Sequence, residues 1–397
     1  MENERVFEQA APLLKRLEEA GFEAYFVGGS VRDYLLGRPI GDVDIATSAL
    51  PEEVKHIFPK TVDVGIEHGT VLVLWEGNGY EVTTFRTESD YKDFRRPEKV
   101  SFVRSLTEDL QRRDFTINAM AMDRTGRIID PFGGKEALQQ QQIQTVGRAE
   151  DRFSEDALRM MRAARFTSQL GFRLHGETEK ALLRCASLLQ HIAVERKLVE
   201  MEKLLAGRDA AAGIEVIVRG NLFPYLPRLE GTKQQLEFFL SYDVRRLTAR
   251  QRWLFLLALI KPEESEKWLR SWRMPSKKIK YLASTYEWLQ GMKGRAWTDF
   301  LLYQAGADRT ADVEEVLAVM EKRPSQAIQL MQRYEELPIK GRKELAVTGK
   351  DLKEWKQEKG GPWMKQLLEQ IEQSVAEGQI DNRKESIKEW LKACNLL

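Results

Sequence analysis

The sequence predicts an α+β protein, with a mixed sheet-and-helix head over residues 1–146 and an all-helical neck, body and tail behind it. Two observations carry this. Thr70 to Trp75 (TVLVLW) and Tyr80 to Phe85 (YEVTTF) are apolar, β-rich runs on either side of Glu76-Gly77-Asn78-Gly79, the pattern of a hairpin. Past residue 146 the apolar positions recur at helical spacing instead, over 155–170, 177–190, 195–206, 210–219, 248–260 and 263–272. A chain of 397 residues suits several domains, placed here at 1–146, 147–206, 207–300 and 301–397.

Ala24-Tyr25-Phe26-Val27 reads as a short buried strand, broken by Gly28-Gly29. Ser30 is a good N-cap, and Val31 to Leu36 reads as the first turns of a helix. Backbone N–H groups at such a start, beside residues without a Cβ, accept phosphate oxygens. Arg32 adds a charge-assisted bond there. The same residues also read as a tight turn followed by a surface Arg32–Asp33 pair. Next come Asp42 and Asp44 on a strand through Val43 to Ala46, where side chains two apart share a face. That is a seat for one or two Mg²⁺ ions, which favour carboxylate and phosphate oxygens. A plain polar strand edge is strained, because like charges repel unless a cation or base separates them.

Residues 87–100 (TESDYKDFRRPEKV) are polar and read as a mobile loop. Ile128-Ile129 is a further short strand. In Arg112-Arg113-Asp114-Phe115-Thr116-Ile117-Asn118, a helix starting near Phe115 takes Asp114 as its cap, and the planar guanidinium of Arg113 suits two phosphate oxygens. On the 155–170 helix, Asp156 and Arg159 stand three apart on one face, the spacing of an ordinary surface ion pair. Leu222 to Pro227 and Gly360-Gly361-Pro362 interrupt the helices. Trp268, Trp272, Trp288 and Trp297 read as core, and Thr348 to Leu352 as a turn that offers Lys350 to a phosphate.

No apolar run is long enough to span a bilayer, and the first residues lack a secretory apolar core. Cys185 and Cys394 are too few for a disulfide framework, which fits a reducing cytoplasm. The four histidines form no HxxxH spacing, which excludes a zinc or His-Asp phosphohydrolase reading. A net charge of +1 excludes a generic polyanion binder, so any nucleic-acid surface must gather its basic residues. Arg95-Arg96, Arg112-Arg113, Arg245-Arg246 with Arg250 and Arg252, and Lys277-Lys278 with Lys280 are such clusters, each equally readable as a solvated helix face.

Taken in order, GGSVRD at 28–33, DVDIAT at 42–47, RRDFTINAM at 112–120 and EDALR at 155–159 resemble the class II tRNA nucleotidyltransferases, the bacterial-type CCA-adding enzymes of the tRNA nucleotidyltransferase and poly(A) polymerase family. The resemblance implies a polymerase-beta-like nucleotidyltransferase head. It implies template-independent addition of C, C and A to the 3′ end of tRNA from CTP and ATP, by two-metal nucleotidyl transfer. Poly(A) polymerase activity, CC-only or A-only addition and a non-catalytic RNA-binding relative share enough of these motifs to stay open.

By the same resemblance Asp42 and Asp44 hold Mg²⁺, and Glu81 either orients the metal site or helps deprotonate the acceptor hydroxyl, or stays a strand-face glutamate paired with Arg86. Gly29, Arg32 and Arg113 bind the triphosphate. Asp156 and Arg159 read the base: the carboxylate accepts from the amino group of cytosine or adenine, and the guanidinium donates to the neighbouring ring nitrogen. Arg162 and Arg165 lie near the phosphates or sugar. The 87–100 loop is the lever that shifts the choice from C to A, and the helical tail holds the tRNA.

Overall fold

The computed structural model describes residues 2–65, 68–92 and 96–397. The chain divides into two compact units, Met1–Leu240 with Ser271–Arg273, and Ser241–Arg270 with Met274–Leu397.

The first unit begins with helix α1 (Glu2–Glu19), whose Phe7, Ala10, Leu13, Leu14 and Leu17 are buried on one side at helical spacing. Phe7 packs on Phe26 of strand β1 (Ala24–Val27) with ring centroids 4.8 Å apart. Helix α2 (Gly29–Leu35) and strand β2 (Asp44–Thr47) follow. After α3 (Pro51–Ile57) come strands β3 (Thr61–Gly65), β4 (Thr70–Trp75) and β5 (Asn78–Thr84). With β8 (Ala121–Met122) and β9 (Ile128–Ile129) these form, among the described residues, a seven-stranded sheet in the order β3-β4-β5-β2-β1-β8-β9. Only the β2–β5 pairing is parallel, so the sheet is mixed as the hairpin pattern predicts. The β4–β5 turn is tighter than the sequence suggests: Glu76 and Gly77 alone form it, with φ of 49° and 85°. Positive φ at both positions matches the twist of the flanking strands.

The 87–100 segment differs from expectation. Strands β6 (Arg86–Lys92) and β7 (Arg96–Phe102) pair as an antiparallel ribbon, and Asp93, Phe94 and Arg95 lie outside the described residues. Ladder hydrogen bonds between backbones need no apolar alternation, so a polar ribbon leaves no periodic signal.

Helices α4 (Leu106–Gln111) and α5 (Gly134–Gln139) complete the head. Strand β10 (Gln142–Ile143) pairs in parallel with β11 (Arg173–Leu174), a small sheet within the helical stretch. The expected 155–170 helix is two helices, α6 (Ala149–Glu155) and α7 (Leu158–Leu170). Asp156 between them is extended, with φ −136° and ψ 102°. Behind them stand α8 (Gly176–Cys185), α9 (Val194–Leu205), α10 (Ala210–Arg219) and α11 (Lys233–Leu240). Helix α7 is buried on almost every side, with α9 and α10 packed against it.

The second unit is helical throughout its described elements: α12 (Ala249–Ile260), α13 (Ser265–Ser271), α14 (Ser276–Met292), α15 (Asp299–Ala305), α16 (Ala307–Met320), α17 (Ala327–Glu336), α18 (Gly349–Lys356), α19 (Pro362–Ala376) and α20 (Lys384–Ala393). Its buried Asp312 accepts from Arg250, Gln251 and the Tyr281 hydroxyl, a satisfied polar centre in an apolar core. Trp268 and Trp297 are buried as expected, as is Trp272 of the first unit, and half-buried Trp288 stacks on Trp297 at 6.3 Å. Thr348 and Asp351 close a capping box at the start of α18.

In the first unit, Gly213 lets α10 meet α7. A Cβ there would sit 2.7 Å from Leu204 Cγ, 2.9 Å from Ser168 Cβ and 3.0 Å from the Ala164 carbonyl oxygen. Gly213→Ala should therefore destabilise the unit by about 1–3 kcal/mol through overpacking. Thermal denaturation followed by circular dichroism checks this, and an unchanged Tm would show that the helices separate freely.

Candidate active site

One cleft of about 580 Å³ gathers the phosphate-loop, strand and helix residues singled out by sequence. Eight arginines and three aspartates line it, so it is built for a strongly anionic ligand, and its size suits a nucleotide. All of Gly29, Arg32, Asp44, Arg113, Asp156, Arg159, Arg162 and Arg165 border it. Asp42 and Glu81 are not among its walls, but both bear electrostatically on Asp44.

The glycine corner of the cleft starts where β1 stops. Gly28 caps α2 with φ 72°, a left-handed conformation that favours glycine. Close approach demands it too: a Cβ would lie 3.2 Å from Arg113 Nη1 and 3.6 Å from Asp44 Oδ2. Ser30 is not the N-cap expected. It sits inside the first turn, where its hydroxyl donates to the Val27 carbonyl at 3.0 Å. The cap falls one turn-residue pair earlier because glycine, not serine, can take the positive φ.

Asp44 and Glu81 are direct partners across the parallel β2–β5 pair, which puts both on one sheet face. Asp44 is open to the cleft, yet enclosing protein pushes its carboxyl pKa upward, and Glu81 and Asp42 push the same way while Arg113 opposes them. The sequence alternative for Glu81 was an ion pair with Arg86; the Arg86 guanidinium donates to the His68 carbonyl oxygen. Three hard-oxygen carboxylates short of positive charge fit a divalent cation. Among the described residues no three acidic, histidine or cysteine side chains already stand at metal-ligand spacing.

The RRDFTINAM segment forms a single 3₁₀ turn, Thr116–Asn118, rather than the expected α-helix. Asp114 still anchors it, accepting from the Phe115 N–H at 2.8 Å and the Asn118 amide at 3.1 Å. Buried Asp109 organises the two preceding arginines, taking Arg112 on Oδ1 at 2.8 Å and Arg113 on Oδ2 at 3.1 Å. Arg113 Nε is buried without a hydrogen-bond partner. Arg32 is held by Asp33 through two bonds of 3.0 and 2.8 Å and by Asn118 Oδ1 at 2.7 Å.

Asp114 then reaches across to α7. Arg162 Nε donates to its Oδ2 at 2.6 Å. Burial pushes the Asp114 carboxyl up, but Arg162, Asn118 and Arg159 outweigh it and hold it at about 2. Asp33, Arg32, Asn118, Asp114 and Arg162 thus form one polar chain along the cleft. Phe166 stands beneath it, with the guanidinium carbons of Arg165, Arg32 and Arg162 at 4.3, 5.2 and 5.4 Å from its ring centre. Cations over an aromatic face gain from the ring quadrupole. Arg165 lies 3.1 Å from buried Glu200, but burial and the neighbouring Arg162 lower its pKa to about 10.

The Asp156–Arg159 pair is not the one-helix pair that its spacing implies. Asp156 lies in the break between α6 and α7, its Oδ1 accepting from the Leu158 N–H at 3.0 Å. Arg159, nearly buried, is fixed by Glu155 at 2.5 Å and by the carbonyl oxygens of Arg152 and Arg112 at 3.1 and 2.9 Å. A helix that ended later would have aimed both side chains by helical phase alone; the break lets Asp156 be aimed by its own bonds. Arg196, Asn118 and Phe166 also line the cleft and were not proposed as site residues from sequence. Arg196 has no local signal, because its partner is forty residues away.

Sign and size of the Asp114 effect follow from its pKa, lowered from 3.8 to about 2. A depressed carboxyl contributes stability fully above the unfolded value and loses it as pH falls through the folded one. Relative to Asp114→Asn, the protein should be stabilised by about 2 kcal/mol at neutral pH, with the gap closing as pH drops from about 4 to about 2. Urea unfolding of both proteins across that range is the check; a pH-independent gap would remove the charged carboxylate from this role.

Comparison with known proteins gives three matches to family models. Residues 24–144 match the poly A polymerase head domain, residues 171–231 an RNA-binding segment of polymerase A, and residues 246–391 a tRNA nucleotidyltransferase domain 2. The CCA-adding enzyme of Geobacillus stearothermophilus is 51% identical over 97% of this chain and 96% of its own. That of Bacillus cytotoxicus is 48% identical over 98% and 99%. The crystal structure of the Bacillus stearothermophilus CCA-adding enzyme in complex with CTP superposes with a TM-score of 0.91, at 48% identity and 98% coverage of both chains.

Proposed function

The chain belongs to the CCA-adding enzymes, and from that premise we propose how its own residues do the work. It is a CCA tRNA nucleotidyltransferase. It adds C, C and A to the 3′ end of tRNA from CTP and ATP without a template, releasing pyrophosphate. The polymerase-beta-like head and the helical remainder are those of its family.

The observation that carries the residue-level reading is that one arginine-lined cleft is bordered by Asp44 as well as by Asp156 and Arg159. The family uses a divalent metal. We assign Mg²⁺ to Asp42 and Asp44, where it would acidify the RNA 3′-hydroxyl and support the leaving pyrophosphate. Glu81, beside Asp44 on the neighbouring strand, either shares that cation or orients the hydroxyl. Gly29 offers its N–H to the triphosphate, and Gly28 admits Arg113 beside it. Arg113 brings an unpartnered buried N–H as well as its charge. Arg32, already clamped by Asp33 and Asn118, presents a fixed guanidinium that loses little freedom on binding.

Asp156 accepts from the amino group of cytosine or adenine and Arg159 donates to the adjacent ring nitrogen. Guanine and uracil place a carbonyl oxygen against Asp156, and a buried acceptor facing an acceptor is what gives a polar site strong discrimination. Arg162 and Arg165, which also line the cleft, serve the sugar and phosphates. We assign 1–146 to the nucleotidyltransferase head, 147–206 to the neck that reads the base, 207–300 to the body and 301–397 to the tRNA-binding tail. No helix among the described residues is long and apolar enough to cross a membrane. We assign the protein to the cytoplasm on the ground of its tRNA substrate alone.

Incubation with tRNA trimmed of its last three nucleotides tests this directly. With Mg²⁺, CTP alone should extend the RNA by two residues and both nucleotides together by three; long adenosine tails from ATP alone would overturn the acceptor assignment. Asp42→Ala should lower incorporation of every nucleotide by at least about a hundredfold, in line with loss of a group that stabilises transition-state charge. Filter binding should show tRNA affinity unchanged. Normal turnover in that variant would remove Asp42 from the metal site.

A further inference from the structure

Asp156 is not positioned by its own helix but by Arg196, at the start of α9. Arg196 Nη2 donates to Asp156 Oδ2 at 2.8 Å, and Nη1 reaches Oδ1 at 3.4 Å. Both residues line the cleft. The Leu158 N–H takes a second position on Oδ1 at 3.0 Å. An ionised carboxylate has about four lone-pair sites. Two on Oδ1 are thus engaged and one on Oδ2, which leaves Oδ2 a single acceptor direction.

From this we propose that Arg196 is a positioning residue for base selection: its two-pronged grip fixes the plane of the Asp156 carboxylate, so that one acceptor lone pair faces the incoming base. The proposal rests on the reading of Asp156 as the base-reading carboxylate. A free aspartate in an extended break would rotate about its Cβ–Cγ bond, a broad torsion with little preference of its own. Two parallel N–H bonds from a planar fork suppress that rotation, and an ammonium cannot do so.

Base choice is therefore shared between two elements: α7 carries the Leu158 N–H and Arg159, while α9 carries the clamp. The same α9 holds Glu200 against Arg165, so one helix braces two of the cleft's side chains from behind. A simple surface ion pair of this kind would matter little to folding, since Arg196 is about a third exposed. Its effect should appear in selectivity and not in stability.

The experiment measures kcat/KM for CTP against UTP, and for ATP against GTP, on trimmed tRNA. The full chain is used with Arg196→Ala, Arg196→Lys, Asp156→Ala and the Arg196→Ala/Asp156→Ala double variant. Both Arg196 variants should lose discrimination, by about tenfold or more for alanine and by less for lysine, as expected when a buried acceptor is no longer held against its wrong partner. In the Asp156→Ala background the Arg196 change should add nothing, because its effect passes through Asp156. In the two Arg196 single variants tripolyphosphate affinity and Tm should stay at the parent values. If Asp156→Ala collapses discrimination while both Arg196 variants keep it, the clamp is overturned and the base-reading assignment survives. If Asp156→Ala itself keeps discrimination, the base-reading assignment has failed and the clamp falls with it. A lysine variant with parent selectivity would show that charge alone suffices, which also overturns the two-pronged claim. Additive losses in the double variant would mean that Arg196 meets the nucleotide directly, and would overturn it too.

Discussion

The constraint on which the cleft depends is the crowding of positive charge. Eight guanidinium groups that share one cavity repel each other, and each must be held still before an anionic ligand arrives. The answer is a small set of carboxylates used more than once. Buried Asp109 takes both Arg112 and Arg113, and buried Asp114 takes Arg162 while it fixes the 3₁₀ turn that carries Asn118. A carboxylate fully enclosed by protein would ordinarily become harder to ionise. Here the arginine charge more than reverses that, and the group is held well below its usual range. Interdependence follows: the acid is ionised because the bases are close, and the bases stay in place because the acid is ionised.

Preorganisation is the functional outcome. Through Asn118, Asp114 ties Arg32 near the phosphate loop to Arg162 on α7. Phe166 closes the back of this chain with an aromatic face under three guanidinium groups and stacks edge-on against Phe115, 5.7 Å away. An anionic ligand in this cleft therefore meets cations whose rotamers are already fixed, and binding energy is not spent on ordering long side chains. At Asp44 the balance runs the other way. Burial first, and then Glu81 and Asp42, push the Asp44 carboxyl up against the opposing pull of Arg113. A surplus of negative charge on one sheet face beside a surplus of positive charge in the cleft is the arrangement that a cation–triphosphate pair would complete.

The legible parts of the site were those whose chemistry is written in adjacent residues. Gly28 and Gly29 after an apolar strand, Asp44 on the next strand and the charged start of α7 are written in local pattern. Asp42 instead precedes β2 and is not among the cleft's walls, so the strand face it was expected to share with Asp44 does not extend to it. The structure brings Gly29, Arg32, Asp44, Arg113 and the residues from Asp156 to Arg165 to one cavity. Local pattern misled where two backbones were equally allowed by it. Asp156 and Arg159 have helical spacing, but the helix breaks between them, since the Asp156 carboxylate binds the Leu158 N–H and begins a new helix. Ser30 looks like a cap, but the positive φ required at that corner belongs to Gly28. The polar stretch after Arg86 looked like a loop, because a ribbon held by backbone bonds need not alternate.

What sequence determined by itself is therefore the set of chemical parts: the strand and helix periodicities, the glycine corner, the spaced carboxylates, and a charge too near zero for indiscriminate polyanion binding. What tertiary structure alone decided is which part holds which. Arg32 finds Asn118 across 86 positions, Arg162 finds Asp114 across 48, and Arg196 finds Asp156 across 40. Hydrogen bonds and ion pairs act over about 3 Å and are blind to separation along the chain. Only the packing of α7 against the head and against α9 brings these groups within that range, and no spacing rule in one dimension contains it.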